Sequence, residues 1–136
     1  MQDPFAGTWK LSTGKSQFDP NHQPLAGTMV IEVTADGHYL MTAEGIDGKG
    51  EKCRERPQRI IPDGKAYPVP DLPGLSAVAT RPDANTITAE ARREDGSVVG
   101  GGRFVVSPDG RSMTATNFGY DTQLRQFQQQ TVWERE

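Results

Sequence analysis

Gly7-Thr8-Trp9-Lys10-Leu11, just inside the N-terminus, and Thr131-Val132-Trp133-Glu134-Arg135, at the far end, decide how the rest of the chain is read. Each is a short β-prone run built on a large aromatic, and together they hold both tryptophans of the 136 residues. Nearly everything between them reads as strand, tight turn, strand. Such a chain gains a core most simply by closing its sheet, so that the first and last strands meet. The expectation is therefore all-β: a single up-and-down antiparallel β-barrel of about eight to ten strands, with little or no helix, in one domain over residues 1–136.

The first hairpin supplies its own register test. Thr28 to Ala35 alternates, and Asp36-Gly37 turns the chain into His38 to Gly45. A two-residue loop would set Ile31 against Thr42 and Met29 against Glu44, mixing apolar and polar on one face. A three-residue loop, Ala35-Asp36-Gly37, pairs Val33 with Tyr39, Ile31 with Met41 and Met29 with Ala43. Register follows the apolar pattern, so the second pairing is expected, with that face inward.

Five Asp-Gly pairs, beginning at positions 36, 47, 63, 95 and 109, punctuate the chain as turns. Between them lie strand candidates Glu51 to Ile61, Lys65 to Val69, Ser76 to Arg81, Thr86 to Arg93, Ser97 to Val106, Arg111 to Gly119 and Gln123 to Glu134. Pro57 interrupts the first of these and argues for an edge or a bulge there. Ser12 to Pro24 reads instead as a lid-like loop, with a 3₁₀ turn near Lys15 to Phe18 and with Phe18 plugging one barrel end. Gly100-Gly101-Gly102 lies inside a strand-like run, where glycine marks a bulge, a corner or close backbone approach. The corner is the favoured reading.

The totals agree with a thin-walled sheet. The apolar fraction is 34%, and 15 glycines with 10 prolines leave little room for long helices. Mean hydropathy is -0.66. The formal net charge of -3 is spread along the chain with no basic stripe, which argues against a nucleic-acid partner. No apolar run is long enough for a membrane-spanning helix. The single cysteine, Cys53, has no internal disulfide partner. Met1-Gln2-Asp3-Pro4 reads as a start codon set on a mature exported chain, so a periplasmic or extracellular location is expected.

Gly7-Thr8-Trp9 at the head of the first strand resembles the G-x-W motif of lipocalins and the wider calycin barrels. The resemblance implies that Trp9 closes the barrel floor and that an arginine from the last strand region packs across its ring. Arg125 and Arg135 are the candidates, Arg135 being favoured because it lies in the better-defined strand. The chain also resembles small exported lipocalin-like domains of unknown function from bacteria. The matching residues are Asp3-Pro4-Phe5, Gly7 to Leu11, Lys15-Ser16, Asp63-Gly64-Lys65, Tyr67-Pro68-Val69 and Ser107 to Gly110. It lacks the T-D-Y turn motif, the paired cysteines and the C-terminal helix of typical lipocalins.

For chemistry the residues offer little. Two histidines, His22 and His38, with Cys53 fall short of a zinc site, and Lys49 sits where a calcium loop needs an oxygen. No P-loop or nucleophile elbow is present, so neither metal nor cofactor is expected. The strand from Glu51 to Arg56 places Lys52, Arg54 and Arg56 on one face. Those cations either line a pocket suited to an anion or mark a charged edge, and the edge is favoured. The leading expectation is non-catalytic binding of a small, largely hydrophobic molecule. Met29, Ile31, Val33, Tyr39 and Met41 form the wall, and Arg54, Arg103 or Tyr120 serve as polar anchors. Two other functions stay open: an enzyme of isomerase, lyase or hydrolase type using Glu44, His38 or Tyr120 as acid or base, and a protein-interaction domain with a filled barrel.

Overall fold

The computed structural model describes residues 3–18, 24–54, 57–69, 73–120 and 126–136, without the side chains of Tyr120 and Phe127. Eleven antiparallel strands form one sheet: β1 (Gly7–Gln17), β2 (Ala26–Val33), β3 (Tyr39–Ile46), β4 (Lys52–Arg54), β5 (Gln58–Ile60), β6 (Ala66–Pro68), β7 (Leu75–Asp83), β8 (Thr86–Arg93), β9 (Val98–Val106), β10 (Ser112–Tyr120) and β11 (Gln126–Arg135). No helix occurs among the described residues. The path runs β4-β3-β2-β1-β11-β10-β9-β8-β7-β6, with β5 also on β3.

The first and last long strands meet as expected. Trp9 pairs with Arg135 and Leu11 with Trp133, so the two indoles lie on neighbouring strands. The sheet curls until its far ends share one core. Ile60 of β5 and Ala79 of β7 join Trp9, Ile31, Tyr39, Met41, Ile87, Val106, Met113, Ala115 and Trp133 in a single buried cluster. Between β5 and β6 no strand pairing occurs among the described residues; the Gly64 N–H instead donates to the Ala79 carbonyl at 2.8 Å.

The hairpin register is the three-residue one. Val33 pairs with Tyr39, Ile31 with Met41 and Met29 with Ala43. Gly37 has φ of 84° and its N–H donates to the Thr34 carbonyl at 3.0 Å, closing the turn. Positive φ is cheap only for glycine, which is why that residue ends the loop.

Two stretches depart from the sequence reading. The Glu51 to Ile61 candidate is two short strands, β4 and β5, both on β3, which raises the strand count. β3 places two residues between Met41 and Glu44, whereas the opposite side places three between Arg54 and Gln58. The register therefore gains one residue across the interval holding Pro57, an offset of the kind a strand proline suggested. The second departure is Lys15 to Gln17, which is strand and not a 3₁₀ turn. Four residues of β1, Thr13 to Ser16, oppose the single Thr131. The Ser16 hydroxyl bridges that break, donating to the Ser12 carbonyl at 2.6 Å and accepting from the Val132 N–H at 2.8 Å. The hydroxyl supplies the bond that the ladder would otherwise lose, so pairing resumes at Gln17.

Gly100 to Gly102 run through β9 without ending it. A register shift between Ala91 and Arg92 puts a bulge beside Gly100, and a Cβ on Gly101 would stand 2.6 Å from the Ala89 carbonyl oxygen. Bulge and close approach, more than a corner, account for these glycines.

Candidate functional site

The interior has two unlike halves. At one end the bulky residues of the core pack solidly, and the N-terminal turn seals them. Trp9 is fully buried and its indole N–H donates to the Phe5 carbonyl at 3.1 Å. Phe5 meets Tyr39 edge-on, with ring centroids 5.8 Å apart. Phe5 is the plug of the closed end, while Phe18 borders the cavity toward the other end; Phe5 lay hidden because it sits outside any strand-like run.

Arg135 is the arginine over Trp9, its guanidinium 4.3 Å from the ring centroid. It also donates to the carbonyls of Gly110 at 2.7 Å, Ala6 at 2.7 Å and Pro4 at 2.6 Å. Arg125, the other candidate, lies outside the described residues. Gly7 has φ of 135°, and a Cβ there would stand 2.5 Å from Arg135 Nη1. The glycine of the G-x-W motif is thus the space through which the arginine reaches.

A second polar knot lies at the same end. The Tyr39 hydroxyl donates to Asp3 Oδ2 at 2.7 Å, and Arg81 donates to that oxygen at 3.0 Å and to the Tyr39 oxygen. Burial, then the hydrogen bond to Asp3, raise the Tyr39 pKa well above the ordinary tyrosine range. Arg81 belongs to β7 and Tyr39 to β3, so this knot ties the sheet across the gap beside β5 and β6.

Above that floor the wall residues become small and a cavity of about 450 Å³ opens. Ala26, Gly27, Ala43, Gly45, Gly101 and Ala115 leave the space, and Leu11, Phe18, Met29, Met41, Phe104 and Trp133 give it an apolar lining. Gln58, Asn117, Gln129 and Thr131 add the polar groups, while Glu44 and Cys53 border it.

The sequence candidates divide between these regions. Met29 and Met41 line the cavity. Ile31 and Tyr39 lie in the packed core of the closed end, and the Tyr39 hydroxyl is committed to Asp3 and Arg81. Val33 is partly exposed at its strand end. Arg54 pairs with Glu44, on the face of β3 opposite Met41 and Ala43, and its side chain is 81% exposed and bonded to Glu44 at 3.3 Å. Arg103 sits one residue from Phe104 on β9, on the opposite, exposed face. Neither arginine reaches the cavity, because strand alternation turns both outward. The Tyr120 side chain, Glu55 and Arg56 lie outside the described residues. His38 is at the Thr34–His38 turn, its Nδ1 2.9 Å from Arg59 Nη1, and is not brought together with Glu44. Among the described residues no three His, Cys, Asp or Glu side chains converge as a metal site. Asp47 spends its Oδ1 on the N–H groups of Lys49 and Glu51, as a hairpin turn requires.

Sequence reasoning missed Asn117, Gln129 and Gln58. The alternation in β11 put Gln129 on the face of Thr131 and Trp133, but its register was not readable without β10 beside it.

No protein-family model and no curated protein matches this sequence. Solved structures do. The fluorescent protein UnaG superposes with a TM-score of 0.68 at 11% identity, covering 100% of both chains. The secretory abundant heat soluble protein 4 from Ramazzottius varieornatus gives 0.61 at 10% identity, over 100% of this chain and 97% of that one. As-p18, an extracellular fatty acid binding protein, gives 0.51 at 14% identity, over 98% and 97%. At such identities the likeness shows the fold alone, an antiparallel β-barrel.

Proposed function

We propose that this protein is a non-catalytic binding module, one domain over residues 1–136, that takes a small, largely apolar molecule into the barrel cavity. The carrying observation is the contrast within the barrel interior. One end is filled by Trp9, Ile31, Tyr39 and Met113. The other is walled by Ala and Gly and holds about 450 Å³ of space, within the range of small-molecule pockets. Apolar wall atoms with no protein atom opposite them lack dispersion contacts that a guest supplies. Each square ångström of guest surface taken from water adds about 25 cal/mol. Met29 and Met41, unbranched and polarisable, suit a wall that adapts to the guest.

The likeness to an extracellular fatty acid binding protein and to a secretory protein supports both the binding reading and an exported location. A cavity of about 450 Å³ walled by small residues favours this over a filled barrel working only through its outside. The separation of His38 from Glu44, and the exposed pairing of Glu44 with Arg54, leave an acid–base enzyme with less support.

Two measurements test the proposal. Native mass spectrometry of protein purified from its source should show a co-purifying small molecule. Titration with the neutral dye Nile red should give saturable one-to-one binding with a blue-shifted emission. Bare polypeptide in the first together with no saturation in the second would sink the idea.

A further inference from the structure

If the cavity holds a guest, as just proposed, its polar wall groups restrict what that guest can be. The polar side chains within the lining are Gln58, Asn117, Gln129 and Thr131, with Cys53 and Glu44 at its border and Glu44 paired with Arg54 at 3.3 Å. The Thr131 hydroxyl is already engaged, donating to the Ala115 carbonyl at 3.3 Å and accepting from the Trp133 indole N–H at 2.9 Å. What remains is a set of carboxamides. Asn117 and Gln129 stand directly opposite each other on β10 and β11, next above the Ala115–Thr131 pair, which in turn lies above Met113–Trp133. Gln129 Oε1 is buried and has no hydrogen-bond partner. An unpartnered buried acceptor of this kind is costly, so a donor brought to it is favoured. Asn117 lies against β9 through the gap left by Gly102, where a Cβ would stand 2.6 Å from Asn117 Oδ1.

Charge narrows the choice further. No Lys, Arg or His among the described residues lines the cavity. Arg54 and Arg103 are on the outer face. Arg81 and Arg135 are held at the closed end, Arg81 by Asp3, Tyr39 and Ala84, Arg135 by Trp9 and three backbone carbonyls. A carboxylate entering this space would shed its hydration with no cation among the described lining residues to replace it. A neutral amide would not, because a carboxamide wall offers both the acceptor for its N–H and the donor for its carbonyl.

We propose that the cavity selects a neutral, largely apolar molecule bearing an amide-type group, which docks on the Asn117–Gln129 pair, and that it discriminates against the corresponding carboxylate. The guest N–H goes to Gln129 Oε1, and a carboxamide N–H of the pair goes to the guest carbonyl. A site that must hydrogen-bond its guest rejects an analogue lacking the group more strongly than an apolar wall can.

Three probes of one chain length test this: dodecanamide, methyl dodecanoate, and dodecanoate at a pH where it is ionised, each competed against Nile red on the full-length protein. The amide should bind about tenfold more tightly than the ester, and the carboxylate more weakly than both. Gln129→Leu should lower amide affinity about tenfold and leave the ester within about threefold, with near-ultraviolet dichroism reporting that the indoles keep their packing. If that variant does not fold, the ranking on the unaltered protein still decides. Dodecanoate binding as well as the amide overturns the selectivity but leaves the cavity a binding site. Failure of all three probes together with Nile red overturns the cavity reading, and this inference with it.

Discussion

The Arg135 guanidinium lies 4.3 Å from the centroid of the Trp9 ring, so the last strand of the barrel grips the first. The same side chain binds carbonyls of Pro4, Ala6 and Gly110, which joins the N-terminal turn, the β9–β10 turn and the end of β11 at one group. A flat, five-donor cation is suited to this because it stacks and forks at once. Lysine keeps the charge but can do neither. Arg135→Lys should therefore destabilise the protein by about 2–4 kcal/mol, read as a lower urea midpoint at unchanged slope.

Gly7 gives the same joint a second test. Alanine there meets Arg135 Nη1 at 2.5 Å and must hold φ near 135°, a backbone region that side chains avoid. Gly7→Ala should cost about 1–3 kcal/mol. Gly14, with nothing within 4 Å of its added Cβ, is the control: Gly14→Ala should change the melting temperature little. Equal effects at both positions would remove Gly7 from any special role in seating the arginine.

At the closed end, Tyr39 makes alkaline stability predictable. Its folded pKa is raised by burial and then by Asp3, whereas the unfolded chain has an ordinary tyrosine near 10.0. Above that pH the unfolded state releases the proton while the folded state keeps it, so stability is whole below pH 10 and falls as pH rises beyond it. The slope from one such proton is about 1.4 kcal/mol per pH unit. Tyr39→Phe should flatten that slope and cost about 1 kcal/mol at neutral pH from the lost bond to Asp3. Urea denaturation at pH 8 to 11 on both proteins measures it.

How much of this could be read beforehand depends on how local the cause is. Met29, Ile31 and Val33 set the first hairpin's register unaided, because only one loop length put apolar against apolar. The pairing of Trp9 with Arg135 was legible from a motif plus a strand. Ile31 and Tyr39 share a face with Met29 and Met41, as alternation said, yet depth along the barrel is not written in alternation. Depth is decided by where Phe5 plugs and where Ala43 and Gly45 leave room. Arg54 is outward because of pairing with Glu44, which one strand's sequence does not reveal. The roles of Ser16 and Gln129 needed β11 to be in place first.

Acid should act through the turns. Asp36, Asp63, Asp83, Asp95 and Asp109 all have pKa values below the usual 3.8, the leading causes being hydrogen bonds from Thr34, Tyr67, the Asn85 N–H, Ser97 and Ser107 respectively. A carboxylate held lower in the folded state contributes stability above its unfolded pKa, and that contribution is lost as pH falls through the folded value. Melting temperature should thus decline below about pH 4. Asn keeps the turn-closing carbonyl but cannot titrate. The double variant Asp95→Asn, Asp109→Asn should show a shallower decline over pH 4 to 2 than the parent. Parallel curves would mean that these turns do not set the acid limit.

Ala43 offers the sharpest test of the empty half. It faces the cavity from β3, directly opposite Met29 on β2 and two residues from Met41. Phenylalanine at this position adds a ring where there is now open space, so the new apolar surface is buried with no resident side chain to displace. Overpacking of a full core costs about 1–3 kcal/mol, whereas filling a void recovers contacts that its walls lack. If the space is a void, Ala43→Phe should leave the melting temperature unchanged or raise it, and should weaken Nile red binding more than about tenfold. The two readouts separate the possible failures. A lower melting temperature would show the region already packed, and undiminished dye binding in a stable variant would place the dye, and the proposed guest, elsewhere on the barrel.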